Sequence, residues 1–541
     1  MIAILLAVIW SGLSIWRIRI LARFFQLEEY KAKRFIRWLA GTRERVASTR
    51  FLVAGIGGLV VAGLMLAAGL ESVVVHAILW IVVVIVIALP EPIKEIKKRF
   101  VATKRAKRLL GTAFGLAVVV NVGAALIIVS GQDAVEAGSL LIVGGVGLVS
   151  YGLAPLALPT ANVLMYPVEG TMRWMFREKA RRRLAAAQPI VIGVTGSYGK
   201  TSTKDTIAHI LSGRFKVLAT PKSYNTLMGI CIVVNNELEP HAGYQYFVTE
   251  MGAYVRGEIE QICELTKPQI GVVTAIGPMH LERFKTLDNT VTAKYELIKA
   301  LPQDGVGIFN GDDERVRGMA ERGYPDTRYC VSYGESPQDA RLIAKNVRHT
   351  VDGLTFEVVD QESGEERTFS TRLIGQHNVT NILLAAMVAR QAGMPLNEIG
   401  MRVASLTPSE HRLNRSTLPN GVVVLDDAYN TNPVGAVSAL QALSMYKGRR
   451  VLITPGMVEL GTVQDEENTR LGEAAATYCT DIILVGVEQT KPIVEGVKRT
   501  DFDQTRLLVM ETVQEAIEWY QRELQGGDAI LFLNDLSDNY L

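Results

Sequence analysis

The sequence predicts an α-helical membrane bundle followed by two α/β domains. Three observations lead to this prediction. The N-terminal part contains five apolar segments, each close to the ~20 residues that a helix needs to cross a bilayer. A Gly-rich stretch, GVTGSYGKTST, follows a short apolar run and occupies residues 193–203. Beyond it, apolar runs alternate with helical stretches, which is typical of a parallel sheet with helices on both faces.

The membrane bundle is predicted over residues 1–158. Lys and Arg are concentrated in alternate connections, with ten in 17–50, eight in 91–108 and none in 131–138. Because cytoplasmic loops carry the excess of Lys and Arg, the N-terminus is predicted to lie outside and the chain after about residue 160 in the cytoplasm. The sequence thus predicts a multi-pass protein of the cytoplasmic membrane, with the lipid bilayer as a partner. The five spans lie at approximately residues 2–16, 51–70, 72–89, 109–130 and 139–158.

Ionisable groups are scarce inside these spans. His76 is the only ionisable side chain well within one of them, whereas transporters and proton paths usually contain several. This scarcity favours an anchor or a lipid-handling surface over a pump. Residues 159–188 are rich in Arg and are predicted to form a basic juxtamembrane linker.

Composition excludes other classes of function. The formal net charge of the 541 residues is only +2, so the chain lacks the overall basic character of nucleic-acid-binding proteins and no nucleic acid partner is expected. The four cysteines are far apart and form no CxxC pair, which indicates neither a structural zinc site nor a disulfide framework.

Two α/β domains are predicted after the linker. Four apolar runs that end in polar residues predict the parallel sheet of a central domain at 189–408. Segments 341–360 and 366–375 alternate like antiparallel strands and are predicted to extend the edge of that sheet. Five further apolar runs predict a smaller, Rossmann-like C-terminal domain at 409–541. The polar residues follow strand ends, where such sheets bind ligands.

The Gly-rich stretch has the features of a phosphate-binding loop. Its backbone N–H groups and the start of the following helix would face a phosphate. Lys200 would reach the β- and γ-phosphates of a nucleotide, and the Thr201 hydroxyl would bind magnesium. Five residues separate Gly193 from Gly199, one more than in the common nucleotide loop. The central domain is therefore predicted to be a P-loop domain with an unusual loop spacing.

Six separated motifs decide which family the sequence resembles. They are GVTGSYGKTST, TEMG at 249–252, GPMHLE at 277–282, AKYE at 293–296, HNVTN at 377–381 and DDAYNTNP at 426–433. Together they resemble the Mur ligases of cell-wall peptide synthesis over about residues 189–541. The similarity is strongest to the MurF type, which adds D-alanyl-D-alanine to UDP-N-acetylmuramoyl-tripeptide. It implies an ATP-dependent carboxylate–amine ligase that works through an acyl phosphate, with ATP and Mg²⁺ as cofactors.

The resemblance also implies roles for individual residues. Asn378 and Asn381 would line the adenine side, Asp427 would face the ribose, and Arg412 would reach the nucleotide from the interdomain linker. Asn430 and Asn432 would lie near the site. The implied catalytic residues are Lys200, Glu250, His280, Lys294 and Arg412. The implied metal ligands are Thr201, Glu250, His280 and, if carbamylated, Lys294. The implied nucleotide contacts are Thr195, Gly196, Ser197, Gly199, Lys200, Thr201, Ser202, Asn225, Asn378, Asn381, Arg412 and Asp427.

Two features depart from the MurF type. The membrane bundle stands where those enzymes have a soluble domain that holds the UDP of the precursor. The last strand continues into Asn534, Asp535 and Asp538 instead of a basic segment, which leaves the D-alanyl-D-alanine donor open.

The expected partners are ATP, a peptide-bearing cell-wall precursor linked to UDP or to a lipid, and an amino acid or dipeptide amine. Two alternatives remain open from the sequence. One is a membrane ligase that builds a γ-linked acidic polymer or modifies a lipid-linked peptide. The other is a membrane transporter or sensor gated by nucleotide.

Overall fold

The structure is a computed structural model that divides into two compact units, Met1–Arg173 and Trp174–Leu541. The division falls inside the basic linker predicted at 159–188, and the predicted boundary between 408 and 409 stays a prediction. The residues described are 1–28, 30–41, 46–89, 100–131, 136–221, 224–334, 339–408, 411–429 and 431–534.

Helices make up the secondary structure described in the N-terminal unit. Trp10 and Trp80 meet edge to face at its centre, with ring centroids 6.2 Å apart. Gly147 and Gly144 lie directly against these two rings, where a Cβ atom would overlap the indoles. Glycine at both positions therefore lets the helices pack closely. The helices are α1 (Ile2–Leu27), α2 (Ala32–Ala40), α3 (Thr49–Ala67), α4 (Val73–Ala88), α5 (Lys104–Ser130), α6 (Ala137–Leu164) and the start of α7 (Tyr166–Ala187).

Among the described residues, four helices are long and apolar enough to cross a membrane: α1, α3, α5 and α6. They contain four of the five predicted spans. The remaining predicted span, 72–89, forms α4, an apolar helix of 16 residues. At 1.5 Å per residue α4 is ~24 Å long, shorter than a ~30 Å hydrocarbon core. The five-span topology therefore stays a prediction that depends on α4.

Two buried polar side chains within this unit, His76 and Asn121, each contact a neighbour. His76 is buried, with Nε2 at 3.0 Å from the Leu70 carbonyl oxygen. Asn121 donates from Nδ2 to the Ser150 hydroxyl at 2.8 Å. Both contacts hold helices in place within the unit.

A mixed sheet organises the first part of the second unit. Over the described residues it has nine strands in the order β2-β3-β1-β4-β5-β6-β7-β8-β9. Strands β2 to β7 run parallel to their neighbours, and β7, β8 and β9 are antiparallel, so the predicted edge extension is confirmed. The strands are β1 (Ile190–Thr195), β2 (Val217–Ala219), β3 (Tyr246–Glu250), β4 (Ile270–Val273), β5 (Val306–Asn310), β6 (Thr327–Ser332), β7 (Ala340–Thr350), β8 (Gly353–Asp360) and β9 (Glu366–Thr371).

Register at the centre of this sheet positions the site. Val194 of β1 pairs with Glu250 of β3, and Thr195 pairs with Val273 of β4. The carboxyl ends of the three strands therefore meet at one edge. The helices connecting the strands are α8 (Lys200–Leu211), α9 (Leu227–Asn236), α10 (Glu258–Thr266), α11 (Leu281–Phe284), α12 (Leu287–Lys299) and α13 (Glu314–Ala320).

Helix α14 (His377–Gln391) is buried along most of its length. Its continuous apolar run packs into the core of the nine-stranded sheet, as expected for a helix that is hydrophobic all round. This packing places its polar first turn, with Asn378 and Asn381, beside the Gly-rich loop. Helix α15 (Leu396–Ala404) follows it and leads towards the C-terminal sheet.

The C-terminal sheet has the order β10-β11-β15-β12-β13-β14 over the described residues. The five predicted strands are present and parallel, which confirms the doubly wound domain; β10 adds an antiparallel edge that the sequence had not indicated. The elements are β10 (Asn414–Thr417), β11 (Val423–Asp427), α16 (Pro433–Ser444), β12 (Arg450–Thr454), α17 (Gln464–Tyr478), β13 (Asp481–Val485), α18 (Lys491–Lys498), β14 (Leu507–Met510), α19 (Val513–Glu523) and β15 (Ala529–Leu533).

Candidate active site

The Gly-rich loop joins the end of β1 to the start of α8. Gly196 and Gly199 have φ angles of 148° and 76°, which residues with a Cβ atom rarely adopt. A Cβ atom on Gly199 would also lie 2.7 Å from Asn381 Oδ1, and one on Gly196 would overlap the Thr274 hydroxyl. The loop therefore needs both glycines, and its shape leads into the N-terminus of α8 as a phosphate cradle requires.

Glu250 is held beside this loop at the end of β3. The Thr201 hydroxyl donates to Glu250 Oε2 at 2.8 Å, and Asn225 Nδ2 donates to Oε1 at 2.9 Å. Lys200 curls back on the loop, with Nζ donating to the carbonyl oxygens of Gly196 at 2.9 Å and Ser197 at 3.0 Å. The structure thus brings Lys200, Thr201, Asn225 and Glu250 together, although their sequence positions span 51 residues of chain, from 200 to 250 inclusive.

A small cavity of about 40 Å³ adjoins the loop. It collects six of the residues whose roles the resemblance implied: Gly196, Ser197, Lys200, Asn225, His280 and Lys294. Its lining residues are Gly196, Ser197, Lys200, Asn225, Gly252, Ala253, Tyr254, Met279, His280, Phe284 and Lys294.

A larger cavity of about 550 Å³ lies on the other side of the loop, between the two α/β domains. This volume is within the range of small-molecule and cofactor sites. The implied nucleotide contacts that line it are Gly199, Ser202, Asn378, Asn381, Arg412 and Asp427.

Several side chains in the larger cavity are fixed by neighbours. Asn381 Oδ1 accepts from the Thr203 hydroxyl at 3.0 Å, which ties α14 to α8. Asp427 Oδ1 accepts from the Leu413 amide at 3.1 Å. The Arg412 guanidinium lies over the Tyr429 ring, 4.4 Å from its centroid. The cavity is thus partly preorganised, with Arg412 and Asp427 both at its C-terminal wall.

Several residues singled out in the sequence make hydrogen bonds that support the local structure. Thr195 is buried, donates its hydroxyl to the Met251 carbonyl oxygen at 2.8 Å and lines neither cavity. Asn432 lines the larger cavity, as expected, and also caps α16, with Oδ1 accepting from the Gly435 amide at 2.9 Å. Asn534 is buried and donates from Nδ2 to the Gly456 carbonyl oxygen at 2.7 Å. Asn430, Asp535 and Asp538 lie outside the described residues.

Comparison with known proteins places these features in a family. Residues 194–389 match the family model of the Mur ligase middle domain, and residues 411–534 match that of the Mur ligase, glutamate ligase domain. The UDP-N-acetylmuramoyl-tripeptide–D-alanyl-D-alanine ligase of Mycobacterium tuberculosis (strain ATCC 25618 / H37Rv) is 31% identical over 379 residues, covering 65% of this chain and 71% of the relative. The chain belongs to the Mur ligase family.

Other relatives agree. The Escherichia coli (strain K12) protein of the same name is 31% identical, covering 59% of this chain and 69% of the relative. A crystal structure of MurF from Acinetobacter baumannii matches with a TM-score of 0.59 and 27% identity, covering 68% of this chain and 78% of that chain. MurF from Thermotoga maritima, solved in complex with ADP, shares the fold with a TM-score of 0.58 at 24% identity, covering 67% of this chain and 80% of that chain. This Mur ligase is accordingly an ATP- and Mg²⁺-dependent enzyme that forms amide bonds.

The electrostatics of the small cavity are set by burial. Burial, reinforced by the nearby Lys200 ammonium, lowers the pKa of Lys294 to about 7. Burial also lowers the pKa of Lys200, although the Glu250 carboxylate opposes this. The Mur ligase therefore holds Lys294 where its neutral amine is populated near neutral pH.

In the larger cavity, burial raises the pKa of Asp427 to about 6, against the attraction of the Arg412 guanidinium. Burial lowers the pKa of His377 to about 4, and Arg412 lowers it further. His377 is therefore neutral at physiological pH, and its Nδ1 lies 3.1 Å from the Ser438 hydroxyl.

The residues present fit magnesium and a nucleotide. Within the described part of the chain, no three His, Cys, Asp or Glu side chains cluster to form a metal site by themselves. Mg²⁺, however, is usually bound through one or two carboxylates together with substrate phosphates. Glu250 and Thr201 place such hard oxygen donors beside the phosphate loop. These two residues, with His280 as the third candidate, would hold the metal in this Mur ligase.

Four residues in or beside the cavities were not predicted as site residues from the sequence. Tyr198 packs against Gly277 from within the loop, and burial raises the pKa of its hydroxyl. His209 and Asp313 line the larger cavity. The acidic run after β5 could have indicated Asp313, because polar residues at strand ends were already expected to face the ligand. Glu459 contacts His280 from the C-terminal domain. Its only signal in the sequence is the segment VELG at 458–461, which resembles a loop in the third domain of Mur ligases.

Proposed function

We propose that this Mur ligase is a membrane-anchored enzyme whose catalytic domains face the cytoplasm. It would join an amine to a carboxylate of a cell-wall peptide precursor at the expense of ATP. The observation that carries this proposal is the enclosure of Lys200, His280 and Lys294 in one small cavity, separated only by the loop from a cavity of nucleotide size.

ATP binding is assigned to the larger cavity and the reacting groups to the smaller one. ATP in the larger cavity would direct its terminal phosphate across the loop towards Lys200. The acceptor carboxylate oxygen then attacks the γ-phosphorus and ADP leaves, which gives an acyl phosphate. The amine attacks the acyl carbon, loses a proton and displaces phosphate.

The chain's own residues would stabilise the negative charge of this transfer. The Lys200 ammonium lies at the loop and opposes charge that develops on the transferring phosphoryl group. Bound Mg²⁺ would supply further positive charge to the phosphate oxygens. Glu250 would hold that metal through a carboxylate already oriented by Thr201 and Asn225.

Lys294 would contribute as a carbamate. Its pKa of about 7 leaves a neutral amine available, and only the neutral amine attacks the carbon of CO₂. Loss of one proton from nitrogen then gives an anionic carbamate. Such a group offers the oxygen donors that suit Mg²⁺, which a lysine ammonium does not.

Membrane attachment is supported by the N-terminal unit. Four helices there have the length and composition of spans, and basic connections alternate with non-basic ones in the sequence. The names of the relatives do not mention a membrane, so the membrane anchor is proposed from this chain alone. In α7, Trp174 is 64% exposed beside the basic residues Lys179 and Arg182, a combination found at membrane surfaces.

Full-length protein purified in detergent tests the reaction. It would be given ATP, Mg²⁺ and a muramoyl-peptide acceptor, with and without D-alanyl-D-alanine or single amino acids as amine. ADP release that requires both the carboxylate and the amine supports the proposal. ATP turnover that ignores the amine contradicts it.

The acceptor's carrier is the second question for the same assay. The apolar helices of the N-terminal unit favour a lipid-linked acceptor, whereas the names of the relatives favour a UDP-linked one. Comparing kcat/KM for the same peptide on the two carriers distinguishes them. A preference for the UDP-linked form assigns the helices to anchoring alone.

A further inference from the structure

A carboxylate from the C-terminal domain contacts His280 in the small cavity. Glu459 Oε2 lies 2.6 Å from His280 Nδ1. The contact is partly enclosed, since the side chains of His280 and Glu459 are 21% and 37% exposed. It is therefore more constrained than an ion pair between two free surface side chains.

The backbone at both ends of this contact is unusual. His280 and Glu459 have φ angles of 56° and 64°, in the left-handed region that residues other than glycine rarely adopt. Such conformations persist when the surrounding structure imposes them, and they concentrate at functional sites. The two side chains are therefore aimed at each other by conformations that the chain would not otherwise favour.

Close backbone approach fixes the Glu459 segment against the His280 segment. A Cβ atom on Gly461 would lie 3.2 Å from Leu281 Cβ and 3.3 Å from the Glu282 amide nitrogen. The C-terminal domain thus rests directly on the turn that carries His280.

The contact also sets the orientation of the imidazole. Tyr254 packs edge to face on the ring, with centroids 4.7 Å apart. When Nδ1–H donates to a carboxylate, the other ring nitrogen, Nε2, carries the lone pair that binds a metal. Histidines that bind metals usually donate their second ring N–H to a carboxylate or carbonyl in this way, and that partner strengthens metal binding.

We infer that Glu459 is a positioning residue that orients His280 for the metal of the small cavity, so that the metal site is complete only when the C-terminal domain rests on the central domain. This inference rests on the proposed function, in which His280 binds Mg²⁺. It adds that one acidic side chain links the position of the C-terminal domain to metal affinity.

Manganese affinity measures this link independently of turnover. Full-length protein in detergent is titrated with Mn²⁺ in the presence of a non-hydrolysable ATP analogue, and bound metal is counted by electron paramagnetic resonance. We expect Glu459→Ala and His280→Asn each to weaken Mn²⁺ binding by about 10- to 100-fold. Glu459→Gln should lose less, because its amide oxygen still accepts the Nδ1–H bond.

The double variant decides whether Glu459 acts through His280. Glu459→Ala in the His280→Asn background should cause no further loss of Mn²⁺ affinity. Gly461→Ala tests the same contact without changing Glu459. Its added methyl group would push the segment away from Leu281 and should weaken Mn²⁺ binding. Glu466→Ala is the matched control, because Glu466 is an exposed acid of the same domain, paired with Arg470.

Two results would overturn the inference while leaving the proposed function standing. One is a weakened His280→Asn variant beside a Glu459→Ala variant with unchanged Mn²⁺ affinity. The other is losses that add in the double variant, which would show that Glu459 acts independently of His280. If His280→Asn itself binds Mn²⁺ normally, the metal role proposed for His280 fails, and this inference fails with it.

Discussion

The two cavities on either side of the Gly-rich loop differ in size and in the groups that they bury. The larger has about 550 Å³ and is walled by both α/β domains, with Asn378, Asn381 and Asp427 among its lining residues. The smaller has about 40 Å³ and encloses the amines of Lys200 and Lys294. The larger cavity has the volume to hold a ligand. The smaller cavity instead buries two amines that would act on a ligand.

This difference indicates a division of labour between binding and chemistry. On the proposed function, residues of the small cavity would act on the reacting groups and should govern kcat. Residues of the large cavity would contact the parts of the nucleotide that do not react and should govern the KM for ATP. Variants of residues on the two sides of the loop test this division.

The largest effect is expected for Lys200→Ala. Loss of the ammonium at the loop should lower kcat by about 10³-fold, since fixed charges at a transferring group are worth that much. Amine-dependent ADP release measures the loss, and fractionation checks that the variant still enters membranes. Lys491→Ala, which removes an exposed amine paired with Glu488, serves as control. A change confined to the KM for ATP would contradict the assignment of Lys200 to chemistry.

Lys294→Ala should lower kcat by about 10²-fold while the KM for ATP changes little. The variant leaves space where the carbamate would sit, so added acetate or formate should restore part of the rate. The same assay with increasing acetate gives the measurement, with Lys299→Ala, the last residue of α12, treated identically. Absence of any rescue would leave Lys294 as a buried amine without the carbamate role.

Gly199→Ala should weaken ATP binding without altering the fold of the C-terminal domain. The added methyl group must fit a φ of 76° and lie 2.7 Å from Asn381 Oδ1, so the loop has to shift. We expect the KM for ATP to rise about tenfold or more. The control is Gly318→Ala, within α13, where an added Cβ atom would meet nothing within 4 Å. Unchanged ATP affinity would show that the loop tolerates a side chain.

The smallest effect is expected for Asp427→Asn, which should raise the KM for ATP by about tenfold or less. The pKa of Asp427 is raised to about 6, so its carboxylate is protonated below that pH and becomes a weaker acceptor for a ribose hydroxyl. In the unaltered enzyme the KM for ATP should therefore rise as pH falls from 7 to 5, and Asp427→Asn should flatten this profile. A profile that stays unchanged in the variant would assign the titration to another group.

Motif order predicted most of the candidate site. Lys200, Asn225, His280 and Lys294 all line one cavity. Lys200 and His280 follow the central strands β1 and β4, whereas Asn225 precedes α9 and Lys294 lies within α12. Thr195 shows that a motif residue need not reach the site. It belongs to the loop motif, but its hydroxyl donates to the Met251 carbonyl oxygen and it lines neither cavity. Glu459 shows the opposite limit, because its contact depends on how a second domain rests on the first.

Strand prediction followed the same pattern. The buried strands were recognisable from their continuous apolar runs. The edge strands β2 and β10 and the interior strand β6 were not predicted, because β2 and β10 have few residues and β6 is of mixed polarity. Their pairing depends on a neighbouring strand that offers free backbone groups, which local sequence does not encode.

The apolar helices, the two α/β domains, the phosphate-binding loop and the family resemblance could all be predicted from the sequence, because each depends on residue types at short spacing. The tertiary structure decided which distant groups meet: Glu250 with Thr201 and Asn225, Lys294 with Lys200, and Glu459 with His280. It also decided the lowered pKa of Lys294, because burial and a neighbouring ammonium exist only after folding. Short-range patterns select local structure, whereas reactivity depends on the distances between residues that folding brings together.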